Sequence, residues 1–370
     1  MSKDDLFGVS IQQYKTDIGF RTLVDGVNEN LYVIPKYQRK YRWTKEQVVS
    51  LVKSLIYGLP IPPIYTYRNE SNQLEILDGQ QRIMSLFFYY IGYYLNNKKN
   101  SCIDFSKIDL EGKTFKEALL NQFKLKELHI QLEEENQKDI NVDYDKLSKE
   151  LKRKIDYTTI TVIEIKIDDE KRKTQVLRQI FSNLNKGGTL LSNQEQRNGI
   201  YMCEFYDMLR MINEDNKLWR KIWGRENAKE DDLEALLRFC ALKKYVKKRK
   251  NLLDFEFYIE EYKGSYTELL DRFSEEVVKF TTSEIEEYKC SLEKFFKLFD
   301  ISRRVAGVTL LESFFVAFEK MHINKIITDK ICNKILDDSE YKSVVRQGTV
   351  KMDSMNKRWK VVYAIWNETD

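Results

Sequence analysis

All four prolines of this 370-residue chain lie within its first 63 positions, at Pro35, Pro60, Pro62 and Pro63. Proline fixes the backbone φ angle and lacks the amide hydrogen that a helix interior needs, so helix interiors exclude it. The sequence beyond Pro63 contains no proline and is therefore permitted to form many helices. The chain is also too long for one ordinary hydrophobic core, which predicts two domains.

Up to about residue 200, the hydrophobic pattern alternates between short strands and helices. Strands are predicted over 31–34, 63–67, 73–77 and 158–167. The last of these changes the phase of its alternation at Val162, which indicates either a bulge or burial of both faces. Helices are predicted from Thr44 to Gly58, from Ile83 to Tyr94, over 144–155 and over 170–184.

From Glu195 onward the pattern is helical to about residue 340, with one possible strand over 341–350. We therefore expect an α+β chain. An α/β domain would occupy residues 1–200, and a mostly α-helical domain would occupy residues 201–370.

The composition excludes several classes of protein. Hydrophobic residues make up 42% and charged residues 32%, which is typical of a soluble globular protein. The longest apolar run, Leu86 to Leu95, has ten residues, and a membrane helix needs about twenty, so we expect no contact with a membrane. The five cysteines form no CxxC pair, which argues against a zinc knuckle or a disulfide framework and fits a reducing cytoplasm. Only His129 and His322 supply imidazoles, too few for a histidine-based metal site, and we expect both to be structural.

The segment Asp78-Gly79-Gln80-Gln81-Arg82 lies between a predicted strand and a predicted helix. A helix N-terminus presents unpaired amide hydrogens and partial positive charge, which suits a phosphate group. Gly79 would let a ligand approach the backbone, and Arg82 would pair with a phosphate oxygen. Asp78 would bind Mg²⁺ or orient a water molecule, and Gln80 or Gln81 would position the attacking water.

A purely structural explanation of the same turn is that Asp78 is an ordinary N-cap, which accepts a hydrogen bond from the amide of Gln80 or Gln81. Arg82 weighs against it, because a cation in the first helical turn opposes the helix dipole unless an anion compensates it.

A second segment, 34–43, places four cations and three aromatic residues in eight positions. Gln38 and Arg39 are candidates for binding a nucleotide, whereas Lys36, Arg42 and Trp43 are candidates for binding nucleic acid through phosphate contacts and base stacking. The alternative is that the aromatic residues pack at the edge of the core.

A third segment covers residues 181–198 and contains the Gly187-Gly188 pair. Asn185, Gln194 and Arg197 would complete a polar cleft that faces the Asp78 turn and binds the nucleotide. The alternative is a helix-turn-helix junction, in which Ser192 is the N-cap of the second helix and Glu195 its capping-box partner.

A basic run from Lys243 to Lys250 follows a helical pattern. Lys247, Lys248 and Arg249 would contact nucleic-acid phosphates. The alternative is a solvated helix end, where cations also suit the helix dipole.

Taken in order, the segments IPKYQRKYRW, LDGQQRIMSL and QIFSNLNKGG with QEQRN resemble the GmrS-type domain of GmrSD modification-dependent restriction systems. The same domain is similar to the N-terminal half of SspE, a phosphorothioate-sensing defence protein. The resemblance covers residues 20–200 and extends loosely to the helical remainder. It implies a ParB/sulfiredoxin-like α/β fold whose Asp-Gly-Gln-Gln-Arg turn binds and often hydrolyses nucleoside triphosphates, with roles for Gln38, Arg39 and residues 78–82.

Two features depart from these relatives. Restriction proteins of this class pair the domain with an HNH nuclease domain, but the two histidines here lie in no His-Asn-His arrangement, which indicates a separate nuclease subunit. The related sulfiredoxins use a cysteine in the turn, whereas no cysteine precedes Ser101 here, so their redox chemistry is excluded.

The leading hypothesis is therefore an Mg²⁺-dependent NTPase or NTP-gated switch in phage defence, which acts with DNA, modified or not, and a partner nuclease. A second hypothesis is a non-catalytic DNA-binding adaptor. A third, a nuclease that uses carboxylates and Mg²⁺, lacks a clear pair of close acids. The sequence leaves open the nucleotide base, the DNA modification and whether the chain forms a homo-oligomer.

Overall fold

The strands predicted on either side of Asn69 pair with each other in the computed structural model, and three further strands extend them into one sheet. The structure describes residues 10–35, 38, 40–95, 103–132, 140–168, 173–184, 192–224, 230–248, 256–305, 307–346 and 349–368. The chain divides into two compact units, Met1–Leu191 and Ser192–Asp370. The sequence places the boundary at residue 200 instead, at the end of the helix Asn193–Ile200, which lies in the second unit.

The strands of the first unit are β1 (Ile11–Gly19), β2 (Tyr32–Val33), β3 (Ile64–Arg68), β4 (Leu74–Asp78), β5 (Tyr93–Tyr94), β6 (Lys126–Glu127), β7 (Gln131–Leu132), β8 (Ile140–Asn141) and β9 (Thr159–Ile167). Its α-helices are α1 (Phe20–Asn28), α2 (Lys45–Tyr57), α3 (Gln80–Ile91), α4 (Phe115–Gln122), α5 (Lys149–Asp156) and α6 (Lys173–Leu184). Short 3₁₀ turns cover Phe105–Lys107 and Tyr144–Lys146, so the helix predicted over 144–155 is a 3₁₀ turn followed by α5.

The sheet is mixed and has the strand order β1-β9-β3-β4-β2. β9 pairs antiparallel with β1 and parallel with β3, while β4 pairs antiparallel with β3 and parallel with β2. The register between β3 and β4 shifts after the pair Tyr65–Asp78, which places a bulge at the end of β4. Bulges often redirect a side chain next to a functional site.

The interior strand β9 buries side chains on both of its faces. Ile160 and Val162 belong to a core cluster that contains residues of α1, α2 and α3. Ile165 and Ile167 belong to a second cluster, which they share with Val176 of α6. Because the pairing of β9 with β1 and β3 has no register shift, burial of both faces explains the change of phase in the sequence, and a bulge does not.

The helices that flank the bulge begin and end where local sequence signals stop them. α2 begins at the predicted capping box, in which the hydroxyl of Thr44 accepts from the amide of Gln47 and the Gln47 side chain accepts from the amide of Thr44. It ends at Gly58, which adopts a left-handed φ of +69°. α3 ends at Ile91, earlier than predicted, because Gly92 adopts a φ of +78° and caps it.

The second unit is mostly helical, as predicted. Its helices are α7 (Asn193–Ile200), α8 (Glu204–Asp215), α9 (Lys217–Trp223), α10 (Asp231–Tyr245), α11 (Tyr266–Val277), α12 (Thr282–Phe296), α13 (Val308–Met321), α14 (Asp329–Asp337), α15 (Ser339–Arg346) and α16 (Met352–Asn367). Two short strand pairs accompany them, β10 (Val246–Lys248) with β11 (Phe257–Ile259), and β12 (Phe299–Asp300) with β13 (Ile327–Thr328). The possible strand over 341–350 is wrong, because α15 buries Tyr341 and Val344 at helical spacing.

His129 contacts a buried carboxylate in the first unit. Asp143 is 4% exposed and accepts hydrogen bonds from Nδ1 of His129, the amide of Ile130, Nδ2 of Asn141 and Nζ of Lys146. Burial alone would raise the pKa of Asp143, but these donors outweigh it and lower that pKa to about 2. The carboxylate therefore holds the turn between β8 and α5 together in its charged form.

Replacing Asp143 with Asn should lower the free energy of unfolding by about 2 kcal/mol near neutral pH, because an amide presents a donor where the carboxylate accepts. A carboxyl whose pKa is lowered by folding stabilises above its ordinary value, about pH 4, and that stability is lost as the pH falls toward about 2. The difference between wild type and D143N, measured by urea unfolding, should therefore shrink across this window. D145N, at an exposed neighbouring carboxylate, should show no difference at any pH, and an equal loss in both variants would contradict the assignment.

Candidate functional site

The segment from Asp78 to Arg82 forms the turn between β4 and α3. β4 ends at Asp78, Gly79 adopts φ +100° and ψ 7°, and α3 begins at Gln80. Gly79 is the N-cap residue, so the cap offers no side chain to the first amides of α3. The first amides of a helix have no acceptor within it and carry partial positive charge. This turn therefore has the backbone features of an anion-binding helix terminus.

Gly79 is required by both conformation and packing. Its φ of +100° lies in the left-handed region, which favours glycine. A Cβ atom at this position would lie 3.1 Å from Cγ1 of Ile64 and 3.3 Å from Nη2 of Arg82. The residue lets the chain turn into α3 while Ile64 and Arg82 pack directly against the backbone.

Asp78 and Arg82 form an ion pair across the turn, with Oδ2 and Nη2 2.7 Å apart. The same Nη2 atom donates to the carbonyl of Pro63 at 2.9 Å. Neither side chain is fully buried, since Arg82 is 20% and Asp78 27% exposed. Asp78 is thus not the N-cap, and it supplies the anion that compensates Arg82 in the first helical turn.

The segment around Tyr41 is fastened to this turn by side-chain amides. Gln38 donates from Nε2 to the carbonyls of Ile76 and Leu77, the last residues of β4 before Asp78. Gln81 accepts at Oε1 from the amide of Arg42, 3.0 Å away, and its Nε2 donates to the carbonyl of Lys40 at 3.4 Å. The structure therefore brings Gln38 and residues 40–42 of the second segment together with residues 78–82 of the first.

Gln80 lies beside these bonded groups and makes no such bond. Gln80 is 3% exposed. Neither its amide oxygen nor its amide nitrogen has a hydrogen-bond partner among the described residues. Buried polar groups are nearly always hydrogen-bonded, so an amide with both atoms unpaired needs an explanation.

Two aromatic residues of the second segment, Tyr41 and Trp43, pack in the core of the first unit. Tyr41 is fully buried, and its ring packs against Phe88 at a centroid distance of 5.1 Å. Trp43 is partly buried against the same core cluster. Tyr41 therefore follows the alternative in which the aromatic residues of this segment pack in the core and do not bind a ligand. Lys36 and Arg39 lie outside the described residues.

Ser85 and the carbonyl of Pro63 complete the turn and were not among the predicted site residues. The hydroxyl of Ser85 donates to the carbonyl of Gln81 at 2.6 Å and also bonds the hydroxyl of Tyr41 at 2.8 Å. The available signal was spacing, because Ser85 follows Gln81 by one helical turn on a face that is otherwise apolar. No sequence signal marks a backbone carbonyl such as that of Pro63.

The residues of the third segment serve a different network. Ser192 and Glu195 form the capping box of α7, in agreement with the helix-junction alternative. Arg197 is 2% exposed and pairs with Glu234 at 3.1 Å and Asp271 at 2.7 Å.

Gln194 of the same helix is 1% exposed and donates to Asn198. Gln194 and Arg197 are therefore engaged inside the second unit. Asn185 lies outside the described residues.

Internal carboxylates pair with the first half of the basic run. Lys243 pairs with Glu319 at 3.2 Å, and Lys244 pairs with Glu276. Lys243 and Lys244 lie in the last turn of α10, as the helix-end alternative expects, whereas Lys247 and Lys248 are exposed on the strand β10. Arg249 lies outside the described residues. Among the described residues of this run, the exposed cations are Lys247 and Lys248.

The first unit is a mixed α/β domain in which a Gly-centred turn from strand to helix is fastened to the preceding basic and aromatic segment. Residues 20–202 match the family model of the GmrSD restriction endonuclease N-terminal domain. This region of the chain belongs to that family, which points to a component of a restriction or phage-defence system.

The other comparisons and searches gave no match. No curated protein and no solved structure matches the chain. Among the helices that the structure describes, none combines the length and the apolar character needed to cross a membrane. Within the described ranges, no three His, Cys, Asp or Glu side chains are grouped so that they could hold a metal ion.

Gly79 and Gly92 offer a matched test of the turn. Both have positive φ, but an added Cβ meets nothing within 4 Å at Gly92. We expect G92A to lower the free energy of unfolding by about 1 kcal/mol, the conformational cost alone. G79A should lower it by about 2–4 kcal/mol in urea unfolding, because Ile64 and Arg82 must also move. Equal losses would show that packing against Gly79 is unimportant.

Proposed function

We propose that the Asp78–Arg82 turn binds the phosphates of a nucleoside triphosphate together with Mg²⁺, and that the chain hydrolyses this nucleotide. The observation that carries the proposal is Gln80, whose buried amide has no partner among the described residues. Leaving such a group unpaired costs about 1–3 kcal/mol. Binding of a ligand by this side chain would explain why the chain tolerates such a cost beside an uncapped helix N-terminus. Departures from local structural rules tend to occur at functional sites.

The ion pair supplies one group for each part of the ligand. Arg82 would hold a phosphate oxygen, and Asp78 would then be available to hold Mg²⁺. Proteins commonly bind Mg²⁺ through one or two carboxylates in combination with substrate phosphates, so a single carboxylate suffices. When bound, the metal neutralises charge on the phosphoryl group during transfer.

The two glutamines of the turn take different roles in this proposal. Both polar atoms of Gln81 bind the backbone of Lys40 and Arg42, so we assign Gln81 to positioning the loop. Gln80 can both donate and accept, and we assign it to orienting the attacking water. Gln38 acts as a positioning residue at the end of β4. Gln194 and Arg197 have no part in the proposal, because their side chains are engaged within the second unit.

Within a restriction system, the nucleotide state of this turn would control DNA sensing or the activity of a nuclease. The chain has only two histidines and no His-Asn-His arrangement. We therefore place the nuclease activity on a separate partner chain. DNA phosphates would be contacted by Lys247 and Lys248, which are exposed on β10.

A DNA-binding adaptor is the second candidate, and the exposed lysines of β10 are the observation that favours it. The Asp78–Arg82 ion pair would then be structural and nucleotide would have no effect. DNA affinity that falls with salt and does not depend on nucleotide would support this function over the first.

Phosphate release by D78A, R82A and a control variant, R68A, tests the hydrolysis proposal. D78A and R82A should release phosphate from nucleoside triphosphates in Mg²⁺ at least about 100-fold more slowly than wild type, because each removes a charge from the phosphate site. R68A is the matched control, since Arg68 forms a 2.7 Å pair with Glu164 on the same sheet. It should hydrolyse at the wild-type rate. Equal rates in all four proteins would remove the catalytic assignment, and unchanged nucleotide binding would remove the site.

Gln80 and Gln81 should respond in opposite directions to replacement by Met. Without nucleotide, Q80M should raise the free energy of unfolding by about 1 kcal/mol, because it removes an unpaired buried amide. Q81M should lower it by about 1–2 kcal/mol, because it leaves the amide of Arg42 without its acceptor. Urea unfolding measures both. If Q80M is instead as destabilised as Q81M, Gln80 is a structural residue and the main support for the nucleotide site is lost.

A further inference from the structure

A cavity of about 500 Å³ lies within the second unit. Its wall includes residues from the first turns of two helices, namely Tyr266 and Thr267 of α11 and Val308 and Thr309 of α13. The charged side chains of the wall are Arg238, Glu312 and Arg358. This combination of helix starts and arginines resembles neither an apolar packing defect nor a metal site.

The start of α13 has neither a side-chain cap nor an acidic residue in its first turn. Its N-cap is Gly307, which has a φ of +86° and offers no side-chain cap. The first turn of α13 also contains no acidic residue. The partial positive charge at this 14-residue helix start is therefore not offset by its own first turn.

Arg358 of α16 is the second and independent observation. It is 1% exposed and lines the cavity. Its Nη1 donates to the carbonyl of Thr349 at 2.7 Å, but its Nε has no partner, and no carboxylate of the described chain forms an ion pair with it. A buried guanidinium without a counter-charge is strongly destabilising, which indicates that an anion belongs beside it.

Glu312, the carboxylate among the described wall residues, already has hydrogen-bond partners. Glu312 accepts from Arg238 at 2.9 Å and from the hydroxyl of Tyr266 at 2.9 Å. Arg238 pairs in turn with Glu234 at 2.8 Å. Glu234 also pairs with Arg197, so two glutamates and two arginines balance, while Asp271, the other partner of Arg197, is half exposed to water. Of the charged groups that the structure describes in the cavity wall, Arg358 is the one that forms no ion pair.

We infer that this cavity binds a small phosphate-bearing ligand through Arg358 and the first turn of α13. The volume lies in the range of small-molecule sites. A phosphate group has several oxygens, which can accept from a guanidinium, from helix amides and from the hydroxyl of Thr309 together. The ligand would be either free inorganic phosphate or the phosphate of a nucleotide. The inference does not depend on the site at Gly79.

Calorimetric titration of the full chain with inorganic phosphate and with AMP tests this site, at constant ionic strength set with NaCl. The R82A protein serves as the background, so that binding at the first unit does not contribute. We expect at least one probe to bind, with at least tenfold weaker binding when R358M is added. K357M, which removes an exposed cation from the same helix, should bind like the background. If inorganic phosphate binds as well as AMP, the phosphate group alone is sufficient for binding. If AMP binds and inorganic phosphate does not, the ligand is a nucleotide.

A second variant and a second measurement cover the case in which R358M does not fold. T309V keeps the shape of the side chain and should weaken binding several-fold. In thermal unfolding, the ligand should raise the midpoint of R82A by more than it raises the midpoint of R82A with T309V added. If neither probe binds, or if R358M binds as tightly as its background, the cavity is not an anion site and Arg358 only braces the carbonyl of Thr349.

Discussion

The ion pair between Asp78 and Arg82 spans the turn on which the candidate site is built. Through the carbonyl of Pro63, the same guanidinium joins the end of β4 and the start of α3 to the residue before β3. Gly79 follows from this arrangement, because Arg82 and Ile64 occupy the space that a Cβ atom would need. The neighbouring loop is joined to the same turn by the side-chain amides of Gln38 and Gln81. The ion pair and these amide bonds therefore meet at the point where β4 passes into α3.

Partial exposure makes this pair suitable for exchange with a ligand. Ion pairs that remain in contact with water contribute about 0–1 kcal/mol, so replacing one partner with a phosphate or a metal ion costs little. Arg197 shows the opposite case, because it is 2% exposed and lies between Glu234 and Asp271. Breaking a buried pair costs several kcal/mol. The two arginines look alike in sequence, and only their exposure separates an exchangeable group from a fixed one.

Local signals in the sequence predicted much of this architecture, including the capping box of α2, the strands on both sides of the bulge and the helical second unit. The family resemblance, and not a local signal, linked Gln38 with the 78–82 turn, and the structure joins Gln38 to the end of β4. β1 escaped prediction because it is a mostly exposed edge strand, held to β9 by backbone pairing that leaves no hydrophobic alternation. The role of Arg197 escaped because its carboxylate partners are 37 and 74 residues away. Periodicity and capping report on neighbours along the chain, and contacts of this length lie beyond them.

Among the described residues, Gln80 lacks a hydrogen-bond partner and Arg358 lacks an ion-pair partner, and the two side chains set different requirements on a ligand. An amide both donates and accepts, so Gln80 fits a place where a water molecule lies next to a phosphate and must be held in one orientation. A guanidinium only donates and always carries charge, so Arg358 suits an anion in addition to the carbonyl of Thr349 that it already contacts. For this reason we propose a role in orienting water for Gln80 and a role in binding an anion for Arg358, although both lie beside an uncapped helix start.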